Sequence, residues 1–590
     1  MNTTLSGGWD YPKAWYVLGL ASGTILALKL AFAWSLPGPW FLPDEVIYVD
    51  HARHIASAGT VFYQGPITGV QPAWPALLVP IELICANNPS FAYFLGTSLS
   101  SLLGTAILIP VFLIARRRLP EGEAIALAIL AALLPGTCLY GWTLLTETAF
   151  ALALLCSAAW FVRALHTEHC TDFAGSAVLA GLSFWIRPFG LGVVLACLAG
   201  TVLWGIGARR WRVPAFTILS VCIVIGSGMV CKSIQQPGHL GITNYSGEAE
   251  TVVGWMTQGL ARLQGWEDLG LAFLRESAYQ MVATYGLFLP LTVGLAVHAV
   301  SGLSQLSLRG KVLLVSSATL FASMYGLTSL ALMNAEGLTR MYGRYVEPLT
   351  PVLLVIGGSA WAEVDNLRGG KRMTVAITLV MVVLLGLAIP TGLLSFANNP
   401  GFWYWHLIYR HTSPMIALTT LAAVGVGLVL LSRRRLIALV LLVAGATAST
   451  VLVAHHTYRY NVETQPVRAV ATKACEAVKN ETSLGRHVCL WVDPATFIRL
   501  GELAPGLHQM ISWLMYGLPG TEVRIADRQQ VVNAGDLLLT NATDTDMPEV
   551  WREGRLGIYR VQTPSHAPLY PSDDYSAGDR TLLTTPPAGN

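Results

Sequence analysis

The sequence predicts a polytopic α-helical membrane protein with about thirteen spans and a small C-terminal extracytoplasmic α/β domain. Of its 590 residues, 53% are hydrophobic and only 12% are charged, whereas about a quarter of the residues in an ordinary soluble domain are charged. The hydrophobic residues gather into runs of roughly 20, the length at which a helix crosses a bilayer core. From about residue 456 the chain becomes more polar and contains short strand-like runs. The formal net charge of +3 gives no indication of a nucleic-acid partner.

The apolar runs define the expected spans. The first extends from about Ala14 to Trp34 and has only Lys13 as a basic flank. No small-residue cleavage site accompanies it, so we expect a retained helix rather than a signal peptide. Later runs lie near 91–115, 122–142, 147–165, 174–187, 188–207, 213–232, 278–300, 311–333, 345–362, 374–395, 415–432 and 437–455.

Clusters of basic residues between these runs predict the orientation of the chain. If successive spans alternate in direction, all the clusters fall in loops on one side, which membrane proteins keep in the cytoplasm. The clusters are Arg116–Arg118, Arg163, Arg209–Arg212, Arg309–Lys311, Arg368–Arg372 and Arg433–Arg435. The N-terminus is then cytoplasmic and everything after about His455 is external, as expected for a protein of the bacterial plasma membrane. Two short spans turn outside at Arg187 and Pro188, because proline cannot continue a helix.

The polar end of the chain is expected to fold as a separate domain over residues 456–570. Four short runs have strand character, near 488–492, 521–525, 536–540 and 556–561, and residues 495–516 have helical spacing. Residues 571–590 are rich in Pro, Ser, Asp and Thr, which is typical of disorder. Cys475 and Cys489 lie in this domain, and spacing alone leaves open whether they form a disulfide.

The first external loop contains the most informative polar segment. Asp44 and Glu45 directly follow Pro43, a position at which acids often complement the dipole of a helix start. Other residues in the same loop and at the external ends of spans favour a functional role for Asp44 and Glu45. Trp74 follows later in the same loop, within Gln71–Pro75. Other polar residues are expected at the external ends of spans, namely Glu147, Arg187, Arg340, Arg344 and Tyr345.

These segments resemble the GT-C superfamily, the multi-span glycosyltransferases that use polyprenyl-phosphate sugars. Asp44 and Glu45, followed by Tyr48 and Arg53, are similar to the Asp-Glu motif of the first external loop, particularly in the aminoarabinose and protein mannosyl transferase branches. The segment around Trp74 is similar to the proline and aromatic segment that follows it there. Arg344 and Tyr345 in Gly343–Pro351 resemble the Arg-Tyr motif that opens a later span. The resemblance covers roughly residues 14–360 and implies a GT-C-like fold.

The resemblance and the chemistry of sugar transfer suggest the same residues. Transfer from a polyprenyl phosphate to a hydroxyl requires a base for the acceptor proton and positive charge for the departing phosphate. Asp44 is the candidate base, Glu45 shares that role or holds its geometry, and Glu147 binds a divalent cation or sugar hydroxyls. The candidate phosphate ligands are Arg187, Arg340 and Arg344, for which an interfacial anchor or a loop ion pair is the alternative. Tyr48, Arg53, Trp74 and Tyr345 complete the predicted substrate site.

The function predicted from these observations is inverting transfer of one sugar from a polyprenyl-phosphate donor to a glycan, lipid or protein acceptor. The partners are therefore that donor, that acceptor and the membrane lipid, with no nucleic acid. A divalent cation is the one cofactor considered, and its ligands are unknown. A transporter or flippase of a lipid-linked substrate is the main alternative, and it would be expected to carry charged or helix-breaking residues near mid-span. A third possibility is a non-enzymatic assembly or receptor subunit.

Overall fold

The computed structural model describes most of the chain between residues 12 and 566. The described residues are 12–36, 43–59, 71–85, 88–235, 263–286, 288–333, 343–364, 370–388, 434–463, 465–482, 489–492, 514, 518, 522–525, 531–532, 536–541, 548–553, 556–562 and 565–566. The predicted span 415–432, the predicted tail 571–590 and Arg340 lie outside them. The described residues divide into two compact units, and each is treated separately below.

Helices account for most of the described chain. They are α1 Pro12–Trp34, α2 Pro43–Ala58, α3 Ala73–Ile84, α4 Pro89–Ala106, α5 Leu108–Ala115, α6 Glu121–Ala132, α7 Pro135–Gly141, α8 Glu147–Thr167, α9 Cys170–Ile186, α10 Leu191–Gly207, α11 Arg212–Gln235, α12 Leu263–Ala283, α13 Phe288–Ser301, α14 Leu308–Met333, α15 Thr350–Val364, α16 Gly370–Ala388, α17 Arg435–Glu463 and α18 Gln465–Thr482. Seven of the described helices are long and apolar enough to cross a membrane, or up to nine if each of two bent helix pairs forms one span. The protein is therefore a multi-span helical protein, while the predicted count of thirteen is not reached among the described residues.

Two of the predicted spans are broken. The predicted span 122–142 bends by 51° between α6 and α7, where Pro135 opens a new helix. The predicted span 278–300 crosses a break of 116° between α12 and α13. Tyr285 and Gly286 adopt φ of 57° and 71° there, a left-handed conformation that ends a helix. Unbroken hydrophobicity concealed both breaks, because apolar composition carries no information on backbone direction.

The first unit comprises Met1–Trp34, Gly59–Leu77 and Gly96–His455. Its helices pack through small residues, which allow backbones to approach closely. Between α8 and α9, Ser157 Oγ donates to the Ser176 carbonyl at 2.9 Å, and Ser176 Oγ donates to the Ser157 carbonyl at 2.9 Å. Between α10 and α14, a side-chain carbon at Gly200 would overlap the hydroxyl of Ser316. These contacts pack α9 closely against α8 and α14 closely against α10.

Ion pairs in the first unit join loops that the basic clusters predict to share one side. Glu168, just after α8, pairs with Arg210 at 2.8 Å and with Arg309 at 3.2 Å. Arg435 pairs with Glu123 at 3.2 Å in the same way, which joins the start of α17 to the start of α6. Loops that carry different basic clusters are therefore close together in space, as expected if successive spans alternate in direction. Which membrane face they occupy stays a prediction.

The second unit comprises Ser35–Ala58, Leu78–Leu95 and His456–Asn590. Its described strands are β1 Cys489–Val492, β2 Glu522–Ile525, β3 Val531–Val532, β4 Leu537–Asn541, β5 Glu549–Glu553, β6 Leu556–Arg560 and β7 Ser565–His566. Five of them form a sheet of order β2-β1-β4-β6-β5, in which β1 is parallel to β2 and β4 while β6 is antiparallel to β4 and β5. All four predicted strands are confirmed, and β3 pairs with β7 separately.

Helix α18 covers one face of this sheet and completes an α/β core. Its apolar residues Ala471, Ala474 and Val478 pack with Leu490 and Leu537 of the central strands. Cys475 lies in the same core, and burial raises the pKa of its thiol to about 12. The side chain of Cys489 is outside the described part, so its pairing with Cys475 stays untested. The described part of this region thus combines a sheet with α18. The predicted helix over 495–516 lies almost entirely outside the described residues, and the boundaries and external location of the domain remain predictions.

Candidate active site

The candidate site of the first unit is built on Glu147, the first residue of α8. The polypeptide turns after α7, and Glu147 begins the next helix, where a carboxylate complements the positive helix terminus. Its side chain is only 2% exposed. A carboxylate buried to this degree requires positively charged partners.

Two arginines from different segments supply those partners. Arg187 ends α9 in an extended conformation, with φ −148° and ψ 142°, because the following Pro188 disfavours the helical conformation. Its Nη1 lies 2.8 Å from Glu147 Oε1. Arg344, in a short 3-10 helix over Gly343–Tyr345, places its Nε 2.9 Å from the same oxygen. Both guanidinium groups are at least nine-tenths buried and converge on a single carboxylate oxygen.

Aromatic rings lie against the arginine pair. The Arg187 and Arg344 guanidinium carbons are 5.6 Å and 5.7 Å from the centre of the Tyr345 ring. Phe189 adds a second ring, 5.5 Å from Arg187 and 5.5 Å from Tyr345. Cation–π contacts of this kind stabilise a desolvated guanidinium and limit its orientations. The arginines are therefore positioned before any substrate arrives.

A second buried acid, Glu347, follows the Arg-Tyr segment. Tyr279 Oη donates to Glu347 Oε2 at 2.5 Å, and Thr350 Oγ1 lies 3.4 Å from the same oxygen. Gln280 Nε2 donates to the carbonyl of Val346, which anchors the neighbouring backbone. A side-chain carbon at Gly136 would overlap the Glu347 carboxylate, so the glycine allows the acid to reach α7. Glu347 thus connects the Arg344 segment to α7 and α12.

A small cavity separates the two acids. Its volume is about 10 Å³, room for about one water molecule. The polar residues Thr137, Tyr140, Glu147, Thr148 and Glu347 line it. The first unit therefore holds a buried polar site between its helices.

The second unit contains the other predicted acids, on α2. Asp44 and Glu45 lie in the first turn of α2, after Pro43. Asp44 is partly exposed, and so is Tyr48, one turn further along the same helix. Glu45 is fully buried, with Tyr93 Oη at 3.5 Å from its Oε2. The two adjacent acids therefore have different surroundings, and of the two only Asp44 has a carboxylate that solvent can reach.

Arg53 and Trp74 make structural contacts. Arg53 Nε donates to Glu82 Oε2 at 2.8 Å, with both side chains largely buried. Trp74 is fully buried, and its Nε1 donates to the carbonyl of Leu144 at 2.7 Å. This bond holds the segment just before Glu147. The geometry favours a positioning role for Trp74 over direct stacking on a sugar.

No group of three or more His, Cys, Asp and Glu side chains among the described residues is arranged to hold a metal ion. Sequence reasoning overlooked Glu347, Glu82 and Tyr93, which become partners only through the fold. It also overlooked Lys29 in α1, although a charged residue inside an apolar span is a recognised signal of function.

Comparison with known proteins agrees with this architecture. Residues 73–230 match the family model of dolichyl-phosphate-mannose-protein mannosyltransferase. The chain is similar in structure to ArnT from Cupriavidus metallidurans bound to undecaprenyl phosphate, with a TM-score of 0.51 and 15% identity over 93% of this chain and 98% of that chain. ArnT in the apo state gives a TM-score of 0.50 and 16% identity over the same shares. Arabinosyltransferase EmbB from Mycobacterium smegmatis gives 0.40 and 15% identity, over 76% of this chain and 42% of that chain.

No curated protein sequence matches the chain. The partial family match and the fold shared over nearly the whole length nevertheless confirm the resemblance to the GT-C superfamily. Residues 73–230 therefore match a glycosyltransferase family model, and the likeness to the solved ArnT structures shows a shared fold.

Proposed function

We propose that this protein transfers one sugar from a polyprenyl-phosphate donor to a glycan, lipid or protein acceptor on the external face of the membrane, with inversion at the sugar. The observation that carries the proposal is the convergence of Arg187 and Arg344 on Glu147 at one end of a membrane-spanning helix. Buried guanidinium groups that share one carboxylate retain net positive charge, which suits a phosphate ligand.

The proposed reaction makes demands that these residues can meet. The bond from the sugar carbon to the phosphate oxygen breaks, the acceptor oxygen bonds to that carbon, and the acceptor proton moves to a base. The departing phosphate gains one negative charge, which Arg187 and Arg344 stabilise. In the resting protein Glu147 keeps the two guanidinium groups together and oriented.

Asp44 is the proposed base. Its partial exposure at the start of α2 allows an acceptor hydroxyl to approach, whereas the burial of Glu45 against Tyr93 favours a role in positioning. Tyr48 and Tyr345 are the proposed sugar contacts. Arg340, which lies outside the described residues, stays a proposed phosphate ligand.

The external α/β domain is proposed to hold the acceptor. A divalent cation remains part of the hypothesis, with turnover in the presence of a chelator as its test. If EDTA leaves the rate unchanged, the cation is not required.

Turnover of the purified protein with a panel of polyprenyl-phosphate sugars tests the function. We expect release of polyprenyl phosphate with at least one donor, and a product of opposite anomeric configuration. Arg187→Gln and Arg344→Gln should reduce turnover at least tenfold. Arg309→Gln, which breaks the pair with Glu168 at the opposite end of α8, should not.

A transporter or flippase remains the alternative. Glu276 of α12 favours it, since this acid is fully buried and has no hydrogen-bond partner among the described residues. Vesicles that move a lipid-linked sugar across the membrane without turnover would support transport and reject the glycosyltransferase.

A further inference from the structure

Lys29 of α1 is a buried cation that the proposed mechanism has not used. It lies five residues before the end of the helix at Trp34, on the same buried face as Ile25 and Ala33. Its side chain is 2% exposed. A lysine at this depth usually extends its ammonium towards the membrane surface, but Lys29 is directed into the bundle instead.

Two glycines make room for the ammonium. Its Nζ lies 3.5 Å from where a side-chain carbon on Gly104 would stand, and 3.8 Å from the equivalent point on Gly141. The Thr137 carbonyl oxygen and the Thr148 methyl group lie 3.4 Å and 3.2 Å from the same point at Gly104. The ammonium is therefore enclosed by α4, α7 and the first turn of α8.

This position is next to the candidate site. Thr137 and Thr148 also line the small cavity that Glu147 and Glu347 share, so the same two residues border both the ammonium and the cavity. Among the described residues, neither Lys29 Nζ nor Thr148 Oγ1 has a hydrogen-bond partner. A buried ammonium without a partner is strongly unfavourable unless an anion approaches it.

The two acids that line the cavity and the cations next to them indicate which ligand is needed. Arg187 and Arg344 already pair with Glu147, and Glu347 accepts hydrogen bonds from Tyr279 and Thr350. None of the described carboxylates forms an ion pair with Lys29. The three cations, Lys29, Arg187 and Arg344, therefore outnumber the two acids, Glu147 and Glu347, by one charge if all five are ionised. A bound anion would balance that charge.

We propose that Lys29 is a third cation for the phosphate of the polyprenyl carrier, facing it from the α1 side of the cavity. This inference rests on the proposed function. The cavity must open to admit a phosphate group, since it now has room for about one water molecule. Lys29 then stabilises the extra negative charge that the phosphate gains when the sugar leaves.

Binding of undecaprenyl phosphate, undecaprenol and inorganic phosphate to the purified protein tests the inference. In Lys29→Met the side chain keeps most of its length and loses its charge. We expect affinity for undecaprenyl phosphate to fall about tenfold or more, with affinity for undecaprenol unchanged, as for a lost charge-assisted hydrogen bond. Lys13→Met, an exposed lysine of the same helix, should match the wild type.

The outcomes separate this inference from the proposed function. If the wild type prefers the phosphate to the alcohol and Lys29→Met keeps that preference, Lys29 is not a phosphate ligand and the proposed function stands. Equal losses for both lipids would mean that Lys29 is only structural, which overturns the inference. A loss confined to inorganic phosphate would indicate a separate anion site and also overturn it.

A wild type that binds both lipids equally would reject the proposed function, and the inference with it. Removing an unpartnered buried ammonium should not lower stability, so we expect Lys29→Met to fold. If it does not, Lys29→Gln retains a polar side chain without charge and allows the same comparison.

Discussion

At the scale of single residues, three acids that look alike in the sequence have separate environments. Glu147 is held between two arginines, Glu45 is buried against Tyr93, and Asp44 is partly exposed at a helix start. Burial with fixed partners suits a structural or electrostatic role, whereas proton transfer requires access to the substrate. Substitution of each acid in turn can therefore distinguish their roles.

Asp44→Asn should lower turnover by about 10²–10⁴-fold, since it removes a base and keeps its shape. Thermal stability and donor binding should change little, because the residue is partly exposed. Turnover and the unfolding temperature are measured on the same preparation, with Asp50→Asn on the same helix as the control. Near-normal turnover of Asp44→Asn together with loss in Glu45→Gln would move the base to Glu45.

Glu147→Gln should act mainly on stability. Arg187 and Arg344 would lose their shared carboxylate while remaining buried, a change that costs about 3–5 kcal/mol in comparable sites. Thermal unfolding should show a clear fall in the midpoint, and turnover should fall with it. Unchanged stability with turnover lost would instead assign a direct chemical role to Glu147.

At the scale of elements, helix ends determine where the charged side chains go. Pro188 ends α9 so that Arg187 becomes extended, and Pro135 starts α7 after a bend of 51°. Gly136 then permits contact between α7 and Glu347, three residues after Arg344. The backbone at these helix ends therefore positions the arginine pair.

Gly136→Ala tests the contact between α7 and Glu347. The added methyl group overlaps the Glu347 carboxylate, which Tyr279 and Thr350 hold in place, so we expect destabilisation of about 1–3 kcal/mol and reduced turnover. Gly122→Ala on α6 is the matched control, because its methyl group would approach no atom closer than 3.9 Å. Equal stability and turnover for both variants would show that Glu347 can move without consequence.

At the scale of the whole molecule, the first unit has two clusters of ion pairs, one near each end of α8. Helix α8 has 21 residues, about 30 Å, with the Glu147 cluster at its start and the Glu168 ion pairs after its end. That length matches the hydrocarbon core of a bilayer. The first cluster is thus expected at the external face and the second at the cytoplasmic face.

Cysteine labelling tests this orientation. A cysteine at Ser304, an exposed position close to Arg309, should react with an impermeant reagent only after cells are opened. A cysteine at Asp573 should react in intact cells, with the parent chain as the background. The reverse pattern would place the candidate site on the cytoplasmic side and contradict external sugar transfer.

Composition, run length and basic clusters were sufficient to predict a multi-span helical protein with a terminal α/β region, because burial in lipid and strand alternation leave periodic patterns in one dimension. Polar residues at the predicted external span ends drew attention to Glu147, Arg187 and Arg344, which the structure brings together. The role of Asp44 stays a prediction. The partners of these charges were not predictable, because a pairing between α8, α9 and the Arg344 segment leaves no local pattern. The position of Lys29 beside two glycines is likewise visible only in the tertiary structure. Ion pairs of this kind arise when helices pack, since a buried charge is stabilised by whatever counter-charge the packing brings within about 3 Å.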